Sequence, residues 1–198
     1  MNNNIERLAI GGGALVLGLL LGWGLRGVAT YNVATETTTP YQDWRTYCPP
    51  AATENVSCEL MGDVRDTTAT GDVKPIVARI SVIKDFRNKE NPGLETIALT
   101  LPLNVLLDPG VGLQIGKEPV KVFKYRTCNN VGCIAIAPLD ETILDAMQSG
   151  AETRISFTGA QPNDKARTLT VSYNGFDDAH SAYKRGNSRR DSWFWRLF

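Results

Sequence analysis

The groups best suited to chemistry in this 198-residue chain are its four cysteines, Cys48, Cys58, Cys128 and Cys133, and its single histidine, His180. Thiols can exchange with disulfides, bind metal or cross-link a fold. Redox pairs and zinc sites typically use Cys-x-x-Cys spacing, which does not occur here. Cross-linking remains, with reduced buried thiols as the other reading. Asp177-Asp178-Ala179-His180 could ligate a metal or shuttle a proton, but so polar a run reads more simply as a solvated helix face. Asp140-Glu141 could be drawn as a carboxylate pair for acid–base work. Neighbouring positions on a helix point apart, and Asp140 is placed to cap one. Gly116-Lys117 lacks the other residues of a phosphate-binding loop, and there is no Gly-x-Ser-x-Gly elbow. These residues point away from an enzyme: no catalytic residue, metal or cofactor is expected.

Compartment decides what the cysteines do, and an apolar run decides the compartment. Leu8 to Leu25 carries no charge. As a helix it spans about 27 Å, close to the ~30 Å hydrocarbon core of a bilayer. Arg7 and Arg26 flank it, and Trp23 lies near one end. Ala14, Gly18 and Gly22 recur every four residues, a small-residue stripe that lets a partner helix approach closely. The run also fits a cleavable signal, with Gly27-Val28-Ala29 before a cut. Retention as a single transmembrane helix is the favoured reading. Either way the cysteines follow an export segment, where disulfides persist. Four cysteines allow three connectivities; nearest-neighbour pairing, Cys48–Cys58 and Cys128–Cys133, closes short loops, each worth roughly 2–3 kcal/mol. The predicted topology is single-pass, with the N-terminus in the cytoplasm and the C-terminal domain outside it. Zero net charge argues against nucleic acid as a partner.

The chain divides into an anchor at 1–29, a Thr-rich linker at 30–40, a β domain at 41–183 and a basic, aromatic tail at 184–198. Within the domain, 76–83 is β-rich. Ile97, Leu99, Leu101 and Leu103 alternate with other residues, as do Val111, Leu113 and Ile115. Positions 120–125, 131–137, 153–158 and 168–173 are further predicted strands. One short helix is expected between them, capped by Asp140, with Ile143, Leu144 and Met147 as its apolar stripe and Gly150 at its end. The fold class expected is mainly β, a β-sandwich-like single domain with one short helix, preceded by one N-terminal transmembrane helix. Trp44, beside a cysteine, reads as a core aromatic.

These residues together resemble the invasion-associated locus B family of bacterial envelope proteins. The resemblance rests on Asp43-Trp44 leading to Cys48 and then Cys58, and on Leu101-Pro102-Leu103-Asn104 running into Pro109-Gly110-Val111. Cys128-Asn129-Asn130-Val131-Gly132-Cys133 followed by Pro138-Leu139-Asp140 is its most specific block, and Val171 to Phe176 closes it. It spans about residues 41–183, with Asn104 where the family usually has glycine. The resemblance implies an exported, mostly β domain with disulfides, named for a role in host-cell invasion.

The tail stands apart. Lys184, Arg185, Arg189, Arg190 and Arg196 against Asp191 give it a side-chain charge of +4, and Trp193, Phe194, Trp195, Leu197 and Phe198 end it. Arg189, Arg190, Trp193, Phe194, Trp195 and Phe198 are the expected docking residues, either as a plug in a protein groove or on anionic lipid. Two functions fit: a non-catalytic accessory subunit with membrane lipid and a membrane protein as partners, or an exported virulence-type factor cleaved after Ala29.

Overall fold

Eleven strands form two antiparallel sheets in the computed structural model, which describes residues 13–22, 36–50 and 56–191. The larger sheet contains β1 (Thr37–Tyr41), β2 (Trp44–Cys48), β3 (Glu59–Arg65), β4 (Ile76–Asp85), β5 (Leu94–Leu101), β9 (Gly132–Pro138) and β8 (Tyr125–Asn129), in that spatial order. The smaller sheet runs β11 (Ala166–Val171), β10 (Thr153–Thr158), β6 (Val111–Ile115) and β7 (Lys121–Phe123). Ile80, Val82, Ile97, Leu99 and Leu101 point from the large sheet into the core, where Val111, Leu113, Ile155, Phe157 and Leu169 of the small sheet meet them. The result is a β-sandwich.

Alternation located β6, and the β-rich run at 76–83 and the predicted strand at 153–158 fall in β4 and β10. In β5 alternation identified the strand but not its environment. Thr96 and Ala98 on the second face are also buried, while Leu103 lies past the strand end and is exposed. The predicted strand at 120–125 is two strands. The chain leaves the small sheet at Phe123 and joins the large one at Tyr125. Residues 37–48 and 59–65, which no predicted strand covers, form β1, β2 and β3. β1 takes in the last part of the segment read as a linker. Register in β3 is reinforced by charge: Asp63 stands opposite Arg79 and receives its Nε at 3.0 Å, while Arg45 of β2 grips both carboxylate oxygens at 2.5 and 3.0 Å. Burial opposes ionisation of Asp63, but these two guanidiniums outweigh it and hold the carboxyl below its ordinary range.

Three helices are described. Residues 13–22 are helical and are called α1 here. The second, α2 (Glu141–Gln148), matches expectation. Asp140 accepts from the Ile143 amide at 2.8 Å, Ile143 and Met147 are buried, and Gly150 follows with φ +70°. The third, α3 (Phe176–Asp191), corrects two readings: the domain has two helices rather than one, and α3 runs unbroken across position 184, where a tail was expected to begin. Its inward face is Phe176, Ala179, His180, Tyr183 and Asn187, spaced for one helical stripe. Among the described residues no helix is long and apolar enough to cross a membrane. Helix α1 covers the middle of the Leu8–Leu25 run; the rest of that run, with Arg7, Trp23 and Arg26, lies outside the described residues.

Candidate functional site

Strand pairing gathers several chain segments at one end of the large sheet. Thr37 lies opposite Cys48, Tyr47 opposite Glu59, Lys84 opposite Glu95, and Thr96 opposite Pro138. The segment after Val56 is tied to the same row by Ser57, whose hydroxyl accepts from the Lys84 amide at 3.3 Å. Helix α3 starts at the far end, where Gly175 abuts Tyr41, and finishes at this one. The chain therefore enters its first strand, forms its first disulfide, turns between β4 and β5, and ends α3 all at one pole.

The first feature of this pole is the Cys48–Cys58 bridge under the last turns of α3. The structure joins Cys48 to Cys58 and Cys128 to Cys133, and no cysteine is free among the described residues. Gly186 lies so near the first bridge that a Cβ there would stand 2.6 Å from the Cys58 sulfur and 2.9 Å from the Cys48 sulfur. Next to it, the Asn187 side-chain oxygen accepts from the buried Cys58 amide at 2.8 Å. The Arg190 guanidinium donates to the carbonyls of Val56, Pro49 and Pro50. Arg190, expected to dock on a partner or on lipid, thus binds its own domain. Trp193, Phe194, Trp195 and Phe198 lie outside the described residues, as does the Arg189 side chain.

An aromatic column continues beneath α3. Trp44 is 1% exposed, and its indole lies over Gly62, directly opposite in register, where a Cβ would come within 2.9 Å of the ring. Its Nε1 donates to the Ser172 carbonyl at 2.8 Å. Tyr173 stacks on it and Phe176 meets it edge-on. His180 follows, stacked between Phe176 and Tyr183 and only 2% exposed. The expected solvated face is therefore wrong for His180, because its imidazole completes the buried stripe of α3. Burial, seconded by Lys184, pushes its pKa down against the pull of Glu95 and Asp177. Burial likewise pushes the Tyr173 hydroxyl up to about 12.

The second feature is an open cleft of about 460 Å³ on the outer side of the large sheet. Leu94, Thr96, Ile136 and Pro138 line it together with Arg126 and the β4–β5 turn. Asp85 organises that turn. Its carboxylate accepts from the Arg87 amide at 3.0 Å and from Arg126 at 2.5 Å, and its carbonyl accepts from the Gly93 amide at 3.1 Å. Desolvation resists its ionisation, yet these bonds prevail and keep the carboxyl below the ordinary range. The Thr96 hydroxyl on the wall is buried and has no hydrogen-bond partner among the described residues. Nothing in the sequence marked Thr96, Arg126 or the turn, because the cleft forms only when β5, β8 and β9 are side by side.

The remaining residues read from the sequence are dispersed. Asp140 caps α2, as above, and Glu141 beside it is exposed. Cys128–Cys133 closes the β8–β9 turn at the opposite pole. There Asn129 accepts from the amides of Val131 and Gly132, and of Asn129, Asn130 and Gly132 only Gly132 takes a positive φ, +156°. Ala14, Gly18 and Gly22 lie on exposed α1, and a Cβ at Gly18 or Gly22 would meet nothing within 4 Å. Among the described residues no group of three or more His, Cys, Asp or Glu could hold a metal ion.

The profile of the invasion associated locus B (IalB) protein family matches residues 44–184, well over half of the chain. The chain belongs to the IalB family. The crystal structure of invasion associated protein B from Bartonella henselae has the same fold: TM-score 0.57 and 24% identity, over 75% of this chain and 96% of that one. No curated protein matches. The IalB match takes in both disulfides, the aromatic column and the cleft. It stops at 184, before Gly186, Asn187 and Arg190, so the turns of α3 that seal the first disulfide lie beyond it.

Proposed function

We propose that this IalB-family chain is a non-catalytic, single-pass protein of the bacterial inner membrane, with its β domain in the periplasm as a binding or accessory subunit of an envelope membrane complex. The observation that carries the reading is the state of α1. Leu15, Val16, Leu17, Leu19, Leu20 and Leu21 are each about 58–66% exposed. A helix apolar on every side that does not pack on its own domain needs lipid or another helix around it. Two disulfides suit an oxidising compartment outside the cytoplasm. The stripe Ala14, Gly18 and Gly22 is the proposed contact for a partner helix. Trp193, Phe194, Trp195 and Phe198 are proposed to dock beside it, in a partner groove or on anionic lipid.

Purification of the full chain in mild detergent, with identification of co-purifying membrane proteins, tests the reading. Gly18→Leu is expected to reduce recovery of those partners while leaving insertion intact, because bulk blocks close helix approach and lipid accepts leucine. Equal recovery would remove the stripe from the argument. The rival reading, an exported factor cut after Ala29, is supported by Gly27-Val28-Ala29. Intact mass separates the two, since a mature chain beginning at Thr30 would overturn anchoring.

A further inference from the structure

We propose that the β4–β5 turn is a lipid contact: Phe86 and Leu94 enter the headgroup layer of an anionic bilayer while Arg87 and Lys89 meet lipid phosphates. The inference rests on the membrane-anchored reading above and adds to it the face of the domain that meets the membrane. Phe86 is 40% and Leu94 45% exposed; Leu94 pairs with Asp85, the last residue of β4, and Phe86 is the first residue of the turn that follows. Their exposure is built in. The turn is locked by bonds to Asp85, and the Asn88 side chain accepts from the amides of Glu90 and Asn91. Gly93, with φ +84°, brings the backbone up to the Phe86 ring, within 3.4 Å of where a Cβ would be. Arg87 and Lys89 are exposed on the same turn, against one acidic residue, Glu90. An aromatic and a leucine at the two ends of a rigid turn that carries cations suit a surface that is apolar below and anionic above.

Position argues for the same partner. The turn lies at the pole where the chain enters β1 at Thr37 and where α3 ends. Eleven residues separate Leu25 from Thr37, so the covalent link reaches at most about 40 Å and permits direct contact. Exposed Lys184 and Arg185 of α3 add positive charge towards this end. Leu103 and Val131, which are also exposed, lie past the far end of β5, about 24 Å along the strand.

The test uses the full chain with labelled Leu and Val methyl groups, in nanodiscs of phosphatidylcholine and phosphatidylglycerol. A trace of lipid carries a gadolinium chelate on its headgroup. Leu94 methyl signals are expected to broaden strongly, and those of Leu103 and Val131 to remain sharp. Arg87→Glu with Lys89→Glu, or nanodiscs of phosphatidylcholine alone, should restore the Leu94 signals while the protein still elutes with the discs. Elution with the discs but no selective broadening of Leu94 overturns the lipid contact and leaves anchoring intact. The same holds if Phe86→Ser removes a co-purifying protein without changing the broadening. Failure of the chain to elute with the discs overturns anchoring, and the lipid contact with it.

Discussion

Replacing Gly186 with alanine sets two effects against each other inside α3. At an ordinary helix position, Gly→Ala stabilises by about 1 kcal/mol through backbone entropy. Here the new methyl would stand 2.6 and 2.9 Å from the two sulfurs of the Cys48–Cys58 bridge, about 1 Å inside normal contact. Neither side yields easily. Cys58 is fully buried, and the helix is pinned next door by the 2.8 Å bond from the Cys58 amide to Asn187. Overpacking of this kind costs ~1–3 kcal/mol, so the net expectation is destabilisation of up to roughly 2 kcal/mol. The sulfurs can then be removed. In a Cys48→Ala, Cys58→Ala background the nearest remaining atom of that contact is the Cys58 Cβ, at an ordinary 3.7 Å. There Gly186→Ala should revert to stabilising by about 1 kcal/mol. Urea unfolding of the four chains, each beginning at Thr30, closes a double-mutant cycle with a coupling of about 1–3 kcal/mol. Equal stabilisation by alanine in both backgrounds would refute the claim that the helix is seated on the disulfide.

Three further outcomes are expected. Loop length ranks the two bridges: a separation of 10 residues against 5 makes Cys48–Cys58 worth about 2.8 kcal/mol and Cys128–Cys133 about 2.2 on the chain-entropy model, measurable by urea unfolding of each paired Cys→Ala variant. Gly132→Ala places a Cβ 2.3 Å from the Leu101 carbonyl oxygen at φ +156°, so it should cost more than an ordinary surface change, on the order of 2 kcal/mol, with β8–β9 amide exchange as the local readout. Stability should fall in two acid windows. His180 has its folded pKa below 6.5, so the unfolded chain takes up the proton first and stability declines as pH drops through 6.5 to the folded value. Asp63 and Asp85 sit below 3.8, so their contribution holds above that value and is lost as pH falls through their folded pKa. His180→Gln should flatten the first window and leave the second; an unchanged slope near pH 6 would refute the assignment.

Local chemistry made several features legible in the sequence. Strict alternation marked β5 and β6. Asp140, the Ile143–Met147 spacing and Gly150 wrote the start, face and end of α2 within one short segment. Paired cysteines after an apolar run indicated two bridges, and the ordered motifs around them matched the family. In α3 the same code was present but its letters misled. Phe176, Ala179, His180, Tyr183 and Asn187 keep helical spacing, yet two of the five are polar, and Gly186-Asn187-Ser188 reads as a loop. Those residues are helical because Gly186 clears the disulfide, Asn187 satisfies the Cys58 amide and His180 stacks between two rings. Each of these partners is distant in sequence or is created by the fold. β1 and β2 escaped for a similar reason, since strands of threonine, arginine and tyrosine gain their stability from neighbours rather than from their own periodicity. The cleft and the pole around it needed more still, because strand register is a property of pairs. Local sequence, then, determined the identity of elements whose stabilising contacts lie within a few residues: α2, the alternating strands, the paired cysteines and the apolar run. Only the tertiary structure decided which residues meet at one end of the sheet, because burial, register and the seat of α3 on its disulfide arise from contacts that do not exist until the strands are side by side.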